Sequence, residues 1–167
     1  MKKVLVVIIL MFVGFSCENN PDDMVPYVSV NLSLSMYNEL SSLGVGEIVT
    51  ITPDTTATGY SWFRYASSST INDRRIPQRT YGNGIIIYRK DFYDIRAYDL
   101  TCTYRARIDY CPLITKGRSV LPICKCCGSV FNLELDGTPA KNSKATYNLR
   151  TYKAVLVDNQ TKLMVSN

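Results

Sequence analysis

Residues 28–35 read Val-Ser-Val-Asn-Leu-Ser-Leu-Ser, a strict alternation of apolar and polar side chains. A period of two is the signature of a strand with one buried face. Met36 to Leu43 predicts one or two helical turns ended at Gly44, and Glu47 to Ile51 predicts a strand stopped by Pro53-Asp54. Tyr60 to Tyr65 is a further strand candidate in Ser/Thr-rich surroundings. Tyr81-Gly-Asn-Gly84 is a turn signal that leads into Ile-Ile-Ile-Tyr-Arg89, a continuous apolar run expected to be a buried strand. Lys90 to Tyr93 is then a hairpin connection into Asp94 to Leu100. Val130 to Leu135 predicts a strand ending at Asp136-Gly137, and Tyr147 to Val157 and Lys162 to Val165 flank Asp158-Asn159-Gln160 as a last hairpin. Short strands at this spacing predict an all-β fold, a small antiparallel β-sandwich or barrel.

The first residues depart from that pattern. Lys2 and Lys3 precede an unbroken apolar run from Val4 to Val13, followed by Gly14-Phe15-Ser16-Cys17. A basic start, a short apolar stretch and small residues before a cut describe a secretory signal peptide. The run is about half of the roughly 20 residues that a membrane-spanning helix needs. Cysteine after Gly-Phe-Ser resembles the lipobox of bacterial lipoproteins, in which that cysteine carries the lipid. The expected organisation is a signal peptide over 1–16, a lipid-anchored tether over 17–26 and one β domain over 27–167. Cys17 is the expected lipidation site and the lipid bilayer its expected partner. The expected location is the cell envelope, at the outer membrane, on a periplasmic or surface face.

Charge adds little. The formal net charge is +5, and Lys2 and Lys3 supply two of those charges. Arg74, Arg75, Arg79, Arg89, Arg96, Arg105 and Arg107 are scattered, several beside acidic residues, so no nucleic-acid partner is expected. The absence of histidine is more restrictive. It excludes a Ser-His-Asp triad, a His-ligated zinc enzyme, a His-ligated haem and a standard two-Cys, two-His Rieske cluster.

Five of the six cysteines are Cys102, Cys111, Cys124, Cys126 and Cys127. Arg96-Ala-Tyr-Asp-Leu-Thr-Cys102-Thr-Tyr104 resembles the strand and first cluster-binding loop of Rieske-type iron–sulfur domains. Cys124-Lys-Cys126-Cys127-Gly-Ser-Val-Phe131 resembles their second loop, usually Cys-Pro-Cys-His-Gly-Ser followed by an aromatic. Leu135-Asp-Gly-Thr-Pro139 and Leu149-Arg-Thr-Tyr152 are similar to the turn and strand that close such domains, so the resemblance spans about residues 83–167. It implies a Rieske-like β domain with two Cys-containing loops. Cys102 and Cys124 then stand at the cysteine-ligand positions, and Tyr104 and Cys127 where histidines belong. Cys111 and Cys126 fit the positions at which some members carry a disulfide between the loops.

Three readings of those cysteines stay open. In the first, the primary expectation, no cofactor is bound. Exported β domains are commonly stapled by disulfides, here Cys111–Cys126 and Cys102 with Cys124 or Cys127, leaving one thiol. In the second, Cys102, Cys111, Cys124 and Cys127 hold zinc or a single iron on four thiolates. In the third, a [2Fe-2S] cluster is held by cysteines with Tyr104 or Cys111 in a former histidine place. Thiolate in place of imidazole lowers its potential toward about −400 mV. A thiol redox role for Cys124-x-x-Cys127 lacks the helix that usually activates one.

Weaker signals remain. Tyr60-Ser-Trp62-Phe63-Arg-Tyr65 is either an exposed recognition patch or, as aromatics in strands more often are, core. Asp91, Asp94 and Asp99 lack calcium-loop spacing and are expected on a hairpin surface. The functional expectation is therefore a non-enzymatic structural or interaction module of the envelope with an unidentified protein partner. The alternative is an electron carrier or accessory subunit with an all-cysteine centre.

Overall fold

The computed structural model describes residues 24–65, 73–117 and 119–167. Cys17 and the expected signal segment lie outside them. Six strands come first: β1 (Asn31–Ser35), β2 (Ile48–Pro53), β3 (Ser61–Tyr65), β4 (Asp73–Ile76), β5 (Ile85–Arg89) and β6 (Ile95–Asp99). A four-residue helix, α1 (Ala106–Asp109), is followed by the two-residue strands β7 (Leu113–Ile114), β8 (Ile123–Cys124), β9 (Phe131–Asn132) and β10 (Thr138–Pro139). The hairpin β11 (Thr151–Val157) and β12 (Lys162–Ser166) completes the chain. No helix among the described residues is long and apolar enough to cross a membrane.

Eight strands make one antiparallel sheet in the order β1-β12-β11-β6-β5-β2-β3-β4. Its edges approach each other. Gln78, just past β4, accepts a hydrogen bond from Ser33 N–H at 2.8 Å and donates to Ser33 C=O at 2.6 Å. One side-chain amide thus takes the place of a neighbouring strand on β1, so the sheet curls into an incomplete barrel. Such capping also removes part of an exposed edge, a site of unwanted pairing.

The central strands are buried on both faces, which explains their continuous apolar runs. Val49, Ile51, Ile85, Ile87, Ile95 and Ala97 point into the barrel core with Leu32, Leu34, Phe63, Leu163 and Val165. Ile48, Ile86, Tyr88, Tyr98 and Leu100 point the other way, into a second core with Cys102, Cys111, Leu113, Cys124, Phe131 and Leu133. Each isoleucine taken fully from water contributes about 1.5–3 kcal/mol. The cysteine-bearing segment therefore sits on the outer face of β2, β5 and β6. Gly84 opens β5 at φ +104°, and a Cβ there would stand 2.2 Å from Ile51 O. Only glycine allows β5 this close to β2.

Several expected boundaries shift. Residues 36–43 form consecutive turns rather than a helix, with Leu40 N–H donating to Ser35 C=O and Leu43 N–H to Leu40 C=O. The expected strand over Val130–Leu135 shortens to Phe131–Asn132, because the turn begins at Asn132, whose side chain accepts from Glu134 N–H at 2.9 Å and whose C=O accepts from Gly137 N–H at 2.9 Å. Strand β4 was not foreseen. Its sequence is Asp-Arg-Arg-Ile, and Ile76 is its one buried residue. Asp99 is not on a hairpin surface. It is 2% exposed and accepts hydrogen bonds from Thr101 N–H and the Tyr152 hydroxyl. The aromatic cluster divides: Phe63 and Tyr65 pack in or against the barrel core, whereas Tyr60 and Trp62 lie under the Arg75 guanidinium, 5.7 Å and 5.0 Å from it. At the amino-terminal end, Arg150 donates to the carbonyls of Val25 and Pro26, tying these two residues to the domain.

Candidate metal centre

Cys102 is placed by the end of β6. Asp99 bends the chain by accepting from Thr101 N–H, Leu100 N–H donates to Gly84 C=O, and Cys102 N–H donates to Cys111 C=O at 2.9 Å. Between the two cysteines the first loop coils through α1. Arg105 and Tyr110 flank it in the left-handed region, at φ 48° and 42°. Non-glycine residues enter that region at some strain, so outside contacts must hold it. Asn83 does so, its amide donating to Tyr110 C=O and to Thr101 Oγ1, both at 3.0 Å.

The second loop is anchored by β7 pairing with β8, which sets Leu113 opposite Cys124. Cys124 N–H donates to Ser129 C=O at 2.8 Å and Gly128 N–H to Cys124 C=O at 3.0 Å. This closes a tight turn in which Gly128 takes φ 74°. A disulfide joins Cys111 to Cys126, with Cα atoms 6.2 Å apart, and ties the loops together. Cys111 is thereby removed from the possible metal ligands, and the four-thiolate zinc site with it.

Cys102, Cys124 and Cys127 are free thiols. The expected second staple is not formed, so the loops hold three thiols rather than one. Their sulfurs all lie within 4.8 Å of one another, with Cys102 Sγ 3.7 Å from Cys127 Sγ. Cys102 is fully buried, Cys124 nearly so, and Cys127 half-buried. Tyr104 also packs against this core, and its contact with the thiols is its backbone N–H, which donates to Cys102 Sγ.

The thiols differ electrostatically. Burial pushes the Cys102 thiol far up, and the Tyr104 N–H offsets only part of that. Burial also pushes Cys127 up, but its hydrogen bonds with the Ser129 side chain and N–H, and with the neighbouring thiols of Cys124 and Cys102, outweigh it and hold Cys127 below its ordinary value. Ser129 Oγ lies 3.1 Å from Cys127 Sγ and accepts from Ala145 N–H at 3.0 Å, which fixes its orientation. Ser129 was visible in the sequence only as part of Cys-Gly-Ser, with no role attached. Cys127 is therefore the more acidic and Cys102 the more reluctant thiol of the pair.

No family model and no curated protein matches the chain. Among solved structures, it is similar to the ferredoxin of carbazole 1,9a-dioxygenase from Nocardioides aromaticivorans IC177. Identity is 15%, the TM-score is 0.39, and the match covers 84% of this chain and 98% of that one. Agreement at that level is loose and assigns neither a cofactor nor an activity.

A two-iron cluster fits these residues poorly. Such a cluster spreads its protein ligands over two metal ions, two on each. Here the three sulfurs converge on one point, and neither loop carries imidazole. The arrangement can do two things: hold one ion between three thiolates, or oxidise Cys102 and Cys127 to a second disulfide.

Proposed function

We propose that this is a cell-envelope lipoprotein, anchored through acylated Cys17, whose β domain is a degenerate Rieske-like module serving as a non-enzymatic structural or interaction element. The observation that carries the reading is the convergence of Cys102, Cys124 and Cys127 on one point, with Cys111 already consumed by the disulfide to Cys126. The order of the segments supports a Rieske-like ancestry: a strand into Cys102, a second loop from Cys124, and a disulfide joining the two. Two features of the same place weigh against an electron carrier. Tyr104 and Cys127 replace both imidazoles, and the sulfurs are too close together to serve two irons.

The second reading, an electron carrier with an all-cysteine iron–sulfur centre, draws on the third cysteine, Cys127, at a former ligand position. Iron and acid-labile sulfide analysis, with free-thiol counting on the unreduced protein, separates the two. The proposed module contains neither iron nor sulfide and retains the Cys111–Cys126 disulfide. Stoichiometric iron and sulfide with strong visible absorption establishes the carrier instead. Anchoring is tested separately: Cys17→Ser should release the protein from the membrane fraction, and continued membrane association would refute acylation there.

A further inference from the structure

We infer that Cys102, Cys124 and Cys127 form a site for one thiophilic divalent ion of the zinc class, held by three thiolates with a fourth place for water or a small anion. The inference rests on the proposed reading that no two-iron cluster occupies these loops, and it names what the loops hold.

Distance is the first argument. With Zn–S near 2.3 Å, the sulfur–sulfur edge is about 3.8 Å in a tetrahedral site and about 4.0 Å in a trigonal one. Cys102 and Cys127 stand 3.7 Å apart, and no pair exceeds 4.8 Å. An ion enters with a sulfur displacement of less than about 1 Å. The ligands are also held in advance. Cys124 is in β8, Cys102 is bonded through its N–H to Cys111, and the Cys111–Cys126 disulfide fixes one loop against the other. Ordering that an open chain would undergo on binding is already complete.

Ligand chemistry selects the ion. The group contains no carboxylate among the described residues, and the chain has no histidine. Three soft sulfurs disfavour magnesium and calcium and favour zinc or its thiophilic relatives. Charge then separates divalent from monovalent ions. Three thiolates around a 2+ ion leave one net negative charge, whereas a 1+ ion leaves two in a site where Cys102 and Cys124 are 0% and 2% exposed. Backbone donors for the remaining charge are in place: Tyr104 N–H on Cys102 and Ser129 N–H on Cys127. Cys127 is the half-buried member, so ion and fourth ligand enter from its side.

The test uses the mature chain isolated under nitrogen and titrated with Zn²⁺, then with Co²⁺ as a spectroscopic reporter, with stoichiometry read by native mass spectrometry. One ion per chain is expected, with intense sulfur-to-cobalt charge transfer. Cys124→Ser and Cys127→Ser should each weaken binding by more than about 100-fold, beyond the range typical of outer-shell changes. The double variant Cys111→Ser, Cys126→Ser should still bind one ion. Should a variant misfold, the wild-type cobalt spectrum decides alone: charge transfer supports the site, and an oxygen-ligand spectrum overturns it. Protein that takes up no ion, or that is isolated with a Cys102–Cys127 disulfide, defeats the metal site and leaves the stapled module standing. Iron with acid-labile sulfide defeats both.

Discussion

The two cores flanking β2, β5 and β6 are held by different means. The barrel side is built from long ladders and aliphatic side chains. Leu32, Leu34, Val49, Ile51, Phe63, Ile87, Leu163 and Val165 are all 0% exposed there. The loop side has only two-residue strands, and its segments are fixed by one disulfide and by Asn83 and Ser129, with left-handed backbone at Arg105, Tyr110, Asp136 and Asn142. Apolar burial positions a backbone without regard to chemistry. The loop side uses directed bonds, and directed bonds can bring three sulfurs to one point. The barrel supplies the floor, and the loops supply the one cysteine cluster among the described residues.

The sharpest way to break that comparison is to perforate the barrel. Phe63→Ala should destabilise the fold by about 3–5 kcal/mol, the range for a large buried aromatic. Thermal unfolding should show loops and barrel melting together; loops that survive a molten barrel would mean the floor is unnecessary. Next is removal of the staple. Cys111 and Cys126 are 15 residues apart, so the double serine variant should lose about 3 kcal/mol. Hydrogen exchange should then speed up over residues 102–131 while amides of β1, β2 and β5 stay protected. Uniform loss of protection would erase the distinction between the two cores.

Alkaline pH probes the seam. Burial pushes the Tyr98 hydroxyl, which donates to Leu133 C=O at 3.2 Å, up to about 12, and it also pushes Tyr152 up. A raised folded value means that the native state keeps a proton the unfolded chain has lost. Stability is therefore whole below about pH 10 and declines as pH rises through the folded value, by about 2–3 kcal/mol for Tyr98. Tyr98→Phe should flatten that decline in denaturant titrations between pH 9 and 12, values set about the ordinary phenol. An unchanged slope would show that Tyr98 does not titrate there. The smallest effect belongs to Gln78→Ala, which removes two edge bonds to Ser33 for about 1 kcal/mol. A larger loss would show that closure of the barrel depends on this one side chain.

Legibility in the sequence follows the same division. Alternation over β1 and the apolar run of β5 announced themselves, because burial imposes a period on the chain. Strand β4 left no trace, since an edge strand with one buried residue has no period to show. The coil around α1 was equally silent: left-handed Tyr110 is held by Asn83, more than twenty residues away in sequence. Cysteine spacing brought Cys102, Cys124 and Cys127 into consideration, and the family resemblance implied the pairing of Cys111 with Cys126. It could not say that the remaining three stay thiols, since that depends on the turn at Gly128 and on where Ser129 places the Cys127 sulfur.

The central claim of the proposal is that the loops around Cys102 and Cys124 hold no two-iron cluster. Native mass spectrometry of the chain as isolated, with cysteine mapping before reduction, addresses it most directly. The account predicts a Cys111–Cys126 crosslink and no adduct of two irons and two sulfides. Such an adduct, or Cys111 paired with any other cysteine, would contradict it.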